Sequence, residues 1–171
     1  MNAEERRRFI QSLLSRSPRP YTGSELAAKL GVSRQVIVQD IAILRARGGA
    51  VIATPQGYVA RRTALSPGET RIIACSHHVD RVREELVTIV EAGAEVVDVI
   101  VDHPLYGEIT GRLMLRSVED VDRFMARLHA TKAVLLSSLT RGVHLHTIRS
   151  PDPSVFPVIE DALRSKGILL D

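Results

Sequence analysis

His144 and His146 stand two residues apart in the run Gly142-Val143-His144-Leu145-His146-Thr147. Side chains alternate along an extended strand, so both imidazoles face the same way, about 7 Å apart along the backbone. Val143, Leu145 and Ile148 favour such a strand. Two imidazoles on one strand face are half of a metal site, because imidazole nitrogen binds zinc-like ions and a carboxylate oxygen can complete the set. His77 ends an earlier apolar run, and Glu85 follows eight residues later. A helix folding back on that strand brings Glu85 toward His77. The set His77, Glu85, His144 and His146 then offers three nitrogens and one oxygen. That suits a divalent transition metal, zinc or nickel, with a position left for water or a ligand. His78 is adjacent and points elsewhere, and the sequence leaves the ligand open between His77 and His78. On spacing alone Glu85, beside Glu84, reads first as a solvated helix residue.

Other groups have a plainer reading beside the chemical one. His103 and Tyr106 belong to Asp102-His103-Pro104-Leu105-Tyr106-Gly107-Glu108. Pro and Gly make this a hairpin loop. Beside a metal the same His and Tyr can cap a flat aromatic ligand. Arg112 and Arg141 are candidates to pair a ligand carboxylate. Cys75 lies in Ile72-Ile73-Ala74-Cys75 and reads as a small buried hydrophobe. His129, late in a helix, reads as a surface residue near the negative end of the helix dipole.

These residues need elements to hold them. Apolar spacing predicts a helix over 4–16, with Phe9, Ile10, Leu13 and Leu14 in one stripe. Ser24 is the expected cap of a second helix that Gly31 stops. Ser33 caps a third helix to about Arg47, with Ile37, Ile41 and Leu44 inward. A hairpin follows, 50–53 and 58–61 around Thr54-Pro55-Gln56-Gly57. Three helices and a hairpin describe a winged helix-turn-helix. Leu65-Ser66-Pro67-Gly68 reads as a linker between a domain over 1–64 and another over 68–171. In the second, strands are expected at 70–76, 95–102, 108–115, 142–149 and 168–170, and helices at 79–92, 117–130 and 153–166. Val118, Val121, Phe124, Met125 and Leu128 are expected to be buried. The fold class is α+β, with helices packed on a mixed or antiparallel sheet in an α/β sandwich.

Charge separates the two parts. Residues 1–62 hold 11 Lys+Arg against 4 Asp+Glu, and residues 63–171 hold 12 against 16. Only the first part is built to meet a polyanion. The start of a recognition helix meets base edges, here Arg34, Gln35, Val38 and Gln39. Arg45, Arg47, Arg61 and Arg62 suit phosphates. Double-stranded operator DNA is the expected partner. No apolar stretch approaches the roughly 20 residues of a membrane helix. Residues 1–20 lack a signal-peptide core. The single cysteine fits a reducing compartment, so a cytoplasmic protein is expected.

The chain resembles the nicotinate-responsive repressors of NAD biosynthesis, which join a winged helix-turn-helix to a three-histidine domain. The resemblance rests on Gly31-Val32-Ser33-Arg34-Gln35 with Val38-Gln39-Asp40-Ile41, and on His77 with Glu84-Glu85-Leu86. It continues through Val101 to Glu108 and through Gly142 to Ile148, covering nearly the whole chain. It implies a cytoplasmic homodimer that binds operators of NAD synthesis or niacin uptake genes with nicotinic acid as corepressor. By position, His77, Glu85, His144 and His146 correspond to the metal ligands, and His103 to the remaining signature histidine near the effector. A metal-sensing repressor is the alternative. A metal-dependent hydrolase with Glu84 or Glu108 as base, and an amino-acid-binding regulatory module, stand further off. The chain is not expected to be an enzyme, since no nucleophile-base pair or phosphate-cradling loop is present.

Overall fold

A computed structural model describes residues 1–61 and 67–171. It divides into two units, Met1–Ser66 and Pro67–Asp171. Arg62, Leu65 and Ser66 lie outside the described residues.

The first unit begins with α1, Ala3–Arg16. Its Asn2 side chain accepts the Glu5 amide while the Glu5 carboxylate accepts the Asn2 amide, each at 2.9 Å. α2 spans Gly23–Leu30, and Gly31 closes it in the left-handed conformation, φ 64°. The cap of α2 is Thr22, not Ser24. Thr22 Oγ1 accepts the Glu25 amide at 3.1 Å, and the Glu25 carboxylate accepts the Thr22 amide at 2.7 Å. That reciprocal pair satisfies two orphan amides and leaves Ser24 inside the first turn. α3 spans Arg34–Ala46 and is capped by Ser33. Ile10, Leu14, Leu26, Ile37 and Ile41 form the core between the helices. β1 (Val51–Thr54) and β2 (Gly57–Ala60) pair antiparallel, and Tyr21 adds a bridge to Tyr58. This is a helix-turn-helix with a hairpin wing.

The second unit runs β3 (Glu69–Ser76), α4 (Val82–Glu91), β4 (Glu95–His103), β5 (Gly107–Leu115), α5 (Val118–Thr131), β6 (Val143–Ser150) and α6 (Val155–Ser165). A 3-10 turn at Val79–Arg81 takes the place of the expected first turn of α4, and a second lies at Leu136–Thr140. The sheet order is β3-β6-β4-β5, with every neighbouring pair antiparallel. The fold is thus α+β. The expected strand at 168–170 reduces to one bridge, Leu169 to Cys75, closed by Ser76 donating to the Ile168 carbonyl at 2.9 Å and Leu170 donating to the Ala74 carbonyl at 2.8 Å. Helix residues Leu86, Ile89, Val121, Phe156 and Ile159 bury one sheet face. Val118, Phe124, Met125 and Leu128 are half-buried rather than buried, since of the α5 stripe only Val121 reaches full burial. The other sheet face carries Ile72, Ile100, Val143 and Leu145, with Ile72 61% exposed. Among the described residues no helix is long and apolar enough to cross a membrane.

A β-bulge breaks β4. Val96 pairs with Ile148, but Asp98 pairs with Thr147, so Val97 is an extra residue. The bulge shifts the alternation by one position, and Val96 and Val99 both face the helices. It also turns the Asp98 carbonyl toward β6, where it meets the His146 ring.

Candidate metal centre and nucleic-acid face

Strand register explains why the histidines meet. His144 lies opposite Cys75 and His146 opposite Ile73. Directly paired residues share a face, so both imidazoles point under α4. His77 follows β3 two residues after Cys75, on the same alternation. Glu85 is in the first turn of α4 and is 1% exposed.

All three imidazoles are oriented the same way. His77 Nδ1 contacts the His78 carbonyl at 2.8 Å, His144 Nδ1 the Gly142 carbonyl at 2.8 Å, and His146 Nδ1 the Asp98 carbonyl at 2.6 Å. A carbonyl only accepts, so each Nδ1 carries the proton. Each Nε2 then points at Glu85. The distances are 2.6 Å from His77, 3.1 Å from His144 and 3.5 Å from His146. The rings stand edge to face, 5.0 Å between His77 and His144 and 4.8 Å between His144 and His146. Three lone pairs and a carboxylate converging in a buried site require a cation or protons between them.

The electrostatics follow. Burial opposes charge on His77 and His146, but Glu85 outweighs it and raises both imidazoles above the ordinary value. Burial also works against the Glu85 anion. The charge of His146 and the hydrogen bonds from the three rings nevertheless hold the carboxyl well below the usual range. Orientation of every ring by a backbone carbonyl is the outer arrangement that metal-binding histidines use. The donor set fits a divalent transition metal, with His77, Glu85, His144 and His146 as the residues to hold it.

His78 does not join them. Its side chain is 83% exposed and meets Asp80 at 3.0 Å. Cys75 is nearer than its reading as a core hydrophobe implies. Its sulfur and ligand atoms of Glu85 and His144 all lie within 4.8 Å of one another. Burial and then the Glu85 charge push the thiol up, so it stays protonated beside the carboxylate. The signal was present in the sequence, since Cys75 and His77 are two apart in one extended run.

A cavity of about 40 Å³ opens beside the imidazoles, walled by Val99, Leu113, Phe124, Leu135, Leu136 and Ser137 among others. His103 and Tyr106 are not among its walls. They stack on each other at the β4–β5 tip, rings 5.0 Å apart, and His103 Nδ1 accepts the Leu105 and Tyr106 amides at 3.2 and 3.3 Å. Arg112 and Arg141 do not line the cavity either. Both are exposed, and Arg112 lies opposite Asp98 on the open sheet face. Glu84 pairs with Arg81 and Lys166 at the surface, and Glu108 is exposed. Neither stands beside the histidines.

In the first unit Arg34, Gln35, Gln39 and Arg45 are exposed on α3, and Val38 is half-buried among them. Helical spacing puts 34, 38 and 45 on one side. Arg6 and Arg7 face inward instead. They meet the buried Asp40 at 2.5 and 3.2 Å and tie α1 to α3.

The 3H domain family matches residues 70–171, and the HTH domain matches residues 6–59. The chain is 44% identical to the probable transcription repressor NiaR of Thermotoga maritima over 168 residues, 98% of this chain and 95% of that protein. It is 45% identical to the transcription repressor NadR of Bacillus subtilis over 159 residues, 92% of this chain and 88% of that protein. The imidazole-carboxylate cluster falls within the 3H match and the exposed α3 face within the helix-turn-helix match, and the chain belongs to the 3H-domain family of transcription repressors.

Proposed function

We propose that this chain represses transcription of NAD-synthesis or niacin-uptake genes, with nicotinic acid as corepressor. Residues 1–64 bind operator DNA through Arg34, Gln35, Val38, Gln39 and Arg45. Residues 68–171 hold a divalent transition metal, zinc or nickel, on His77, Glu85, His144 and His146. The observation that carries this reading is the convergence of three Nδ1-anchored imidazoles on the buried Glu85. When bound, the metal supplies a Lewis-acidic open position for one ligand atom.

The chain's own groups do the rest. Backbone carbonyls fix the tautomers and Glu85 supplies negative charge. The apolar cavity walls exclude water from the metal position. His103, two positions beyond Val101 on β4, falls on the cavity side of the sheet by strand alternation, and Tyr106 in the turn stacks on it; the two meet the effector. Two copies close on the open sheet face, where Ile72 and Val143 are exposed beside half-buried Ile100 and Leu145 and call for cover. A symmetric pair then presents two α3 helices for half-sites about one DNA turn apart. Nicotinic acid favours that arrangement only by its differential affinity for the two states.

Operator binding measured with nicotinic acid, nicotinamide or neither, each with and without chelator, tests this. Tight binding is expected with nicotinic acid and metal together. The small cavity favours a second reading, in which the metal alone is the signal. Operator binding that follows metal and ignores both pyridines would replace the first reading with the second.

A further inference from the structure

The wing carries no charge of its own. From Ala50 to Ala60 it holds no acidic or basic side chain, and Arg61 comes only after β2 ends. A segment that follows phosphates needs donors such as Arg and Lys. The polar groups of its turn are used within the turn, where Thr54 Oγ1 donates to the Gly57 carbonyl at 2.9 Å and accepts the Gln56 amide at 3.2 Å. The wing is instead tied to the chain that leads into α2. Tyr21 donates to the Tyr58 carbonyl at 3.0 Å, and Tyr58 donates to the Tyr21 carbonyl at 2.7 Å. Gly57 has φ 130°, and a Cβ there would overlap the Tyr21 carbonyl, so this approach requires glycine. Arg19 in turn lies over the Tyr21 ring, 4.4 Å from its centroid, and pairs with Glu25 at 3.1 Å.

The same tie brings the wing to the first residue of the recognition helix. A Cβ on Gly23 would stand 3.5 Å from both Cγ and Nε of Arg34 and 3.6 Å from Tyr58 Cε2. The Arg34 stem therefore lies over bare backbone at the start of α2, with the Tyr58 ring at the same spot. Arg6, Arg7, Arg19 and Arg47 are paired with carboxylates. Among the described residues nothing pairs with the Arg34 guanidinium, and the residue is exposed. An arginine whose stem is already seated loses less rotamer freedom on meeting a base than a free one does.

We propose that the wing is a buttress for base reading: Tyr58, over the bare backbone of Gly23, is a positioning residue that aims Arg34 at its base pair, and the wing turn itself reads no sequence. This rests on the assignment of Arg34 to a base edge above.

The test uses a duplex that the full-length protein, with nickel and nicotinic acid present, selects from random-sequence DNA. The duplex is then changed one base pair at a time, and each protein variant is titrated below its melting midpoint. Arg34→Ala is expected to lose about tenfold in discrimination at one base pair. Tyr58→Ala should lose most of that factor at the same pair. Tyr58→Phe should keep it, because the ring and not the hydroxyl meets the seat. Gly23→Val fills the seat and should act as Tyr58→Ala does. Combining Arg34→Ala with Tyr58→Ala should be no worse at that pair than Arg34→Ala alone, since both remove one interaction. Gln56→Ala in the wing turn should leave affinity and discrimination within about twofold. The buttress is wrong if Tyr58→Ala and Gly23→Val weaken all sequences alike and leave the preference at the Arg34 base pair intact. Loss of a preference at another base pair in Gln56→Ala would show that the wing reads DNA directly. Arg34→Ala protein that keeps every preference would instead remove the base assignment itself, a different failure.

Discussion

The backbone carbonyl of Asp98 receives the Nδ1–H of His146 at 2.6 Å, while the Asp98 carboxylate accepts the Thr147 amide at 3.1 Å. The β4 bulge makes both bonds possible. An undisturbed ladder would give the Thr147 amide a backbone acceptor and leave His146 without this one. Asp98→Ala removes the Thr147 acceptor and loosens the bulge that aims the carbonyl. Metal affinity should drop about 10- to 100-fold, the usual cost of losing an outer-shell partner. Asp98→Asn keeps an acceptor oxygen and should retain most of it. Nickel titration of the two variants separates them, and equal affinities would detach the bulge from the site.

The metal-free protein should respond to pH in the opposite sense to the loaded one. His77 and His146 are raised above 6.5, so their pairing with Glu85 stabilises fully below that value and is lost as pH climbs through their folded values. Glu85 is depressed below 4.5, so its contribution is present above that value and is lost as pH falls through the folded one. Chelator-treated protein should therefore melt highest between about pH 4.5 and 6.5. Loaded protein should gain stability above about 6.5, where Nε2 is free to coordinate. Paired melts across this range check both signs. A metal-free midpoint that rises from neutral to alkaline pH would contradict the Glu85–imidazole pairing.

Gly142 joins two of the proposed ligands, His77 and His144. Its φ is 93°, its carbonyl orients His144, and a Cβ there would overlap the His77 carbonyl oxygen. Gly142→Ala is both strained and crowded. It should cost at least about 1–3 kcal/mol of stability and reduce nickel uptake, because the chain can relieve the overlap only by moving a ligand. His144→Ala should abolish uptake by removing a ligand outright. Denaturant melts with metal analysis report both effects, and Gly142→Ala protein with full nickel content would show that the strands move without the rings.

The parts of the site that follow from period and spacing were legible in the sequence. His144 and His146 alternate along a strand. Glu85 was not legible, since beside Glu84 its spacing reads first as a solvated helix residue, whereas the fold buries it to 1% exposure. Cys75 was legible by the same alternation but masked by its apolar neighbours. Asp98 was not, since a bulge shifts register without a residue type that announces it. Leu136 and Ser137 were not either. They lie in an irregular stretch between α5 and β6, and their position depends on the absence of a side chain at Gly111, far away in sequence. The cap of α2 went to Thr22 over Ser24 because Glu25 sits three residues after Thr22, which completes the reciprocal bond pair.

Basic residues of the first unit divide by what they touch, and operator binding should divide with them. Arg34 and Gln35 open α3 and are exposed. Arg34→Ala and Gln35→Ala should each lose about 1–3 kcal/mol of discrimination at one base pair and little elsewhere. Arg45→Ala should weaken all sequences alike and lower the salt dependence by about one ion. Arg6 and Arg7 belong to another class. Both hold Asp40, which is 2% exposed between α1 and α3. Asp40→Ala takes the carboxylate from Arg6 and leaves Arg7 only Glu4, 2.8 Å away, and should destabilise the unit by about 3 kcal/mol. Loss of DNA binding in that variant should then track loss of fold and recover at lower temperature, whereas Arg34→Ala protein melts normally and stays defective. Circular dichroism melts beside operator titrations at two temperatures decide between these. An Asp40→Ala protein that is fully folded yet unable to bind would move Arg6 and Arg7 from the fold to the DNA surface.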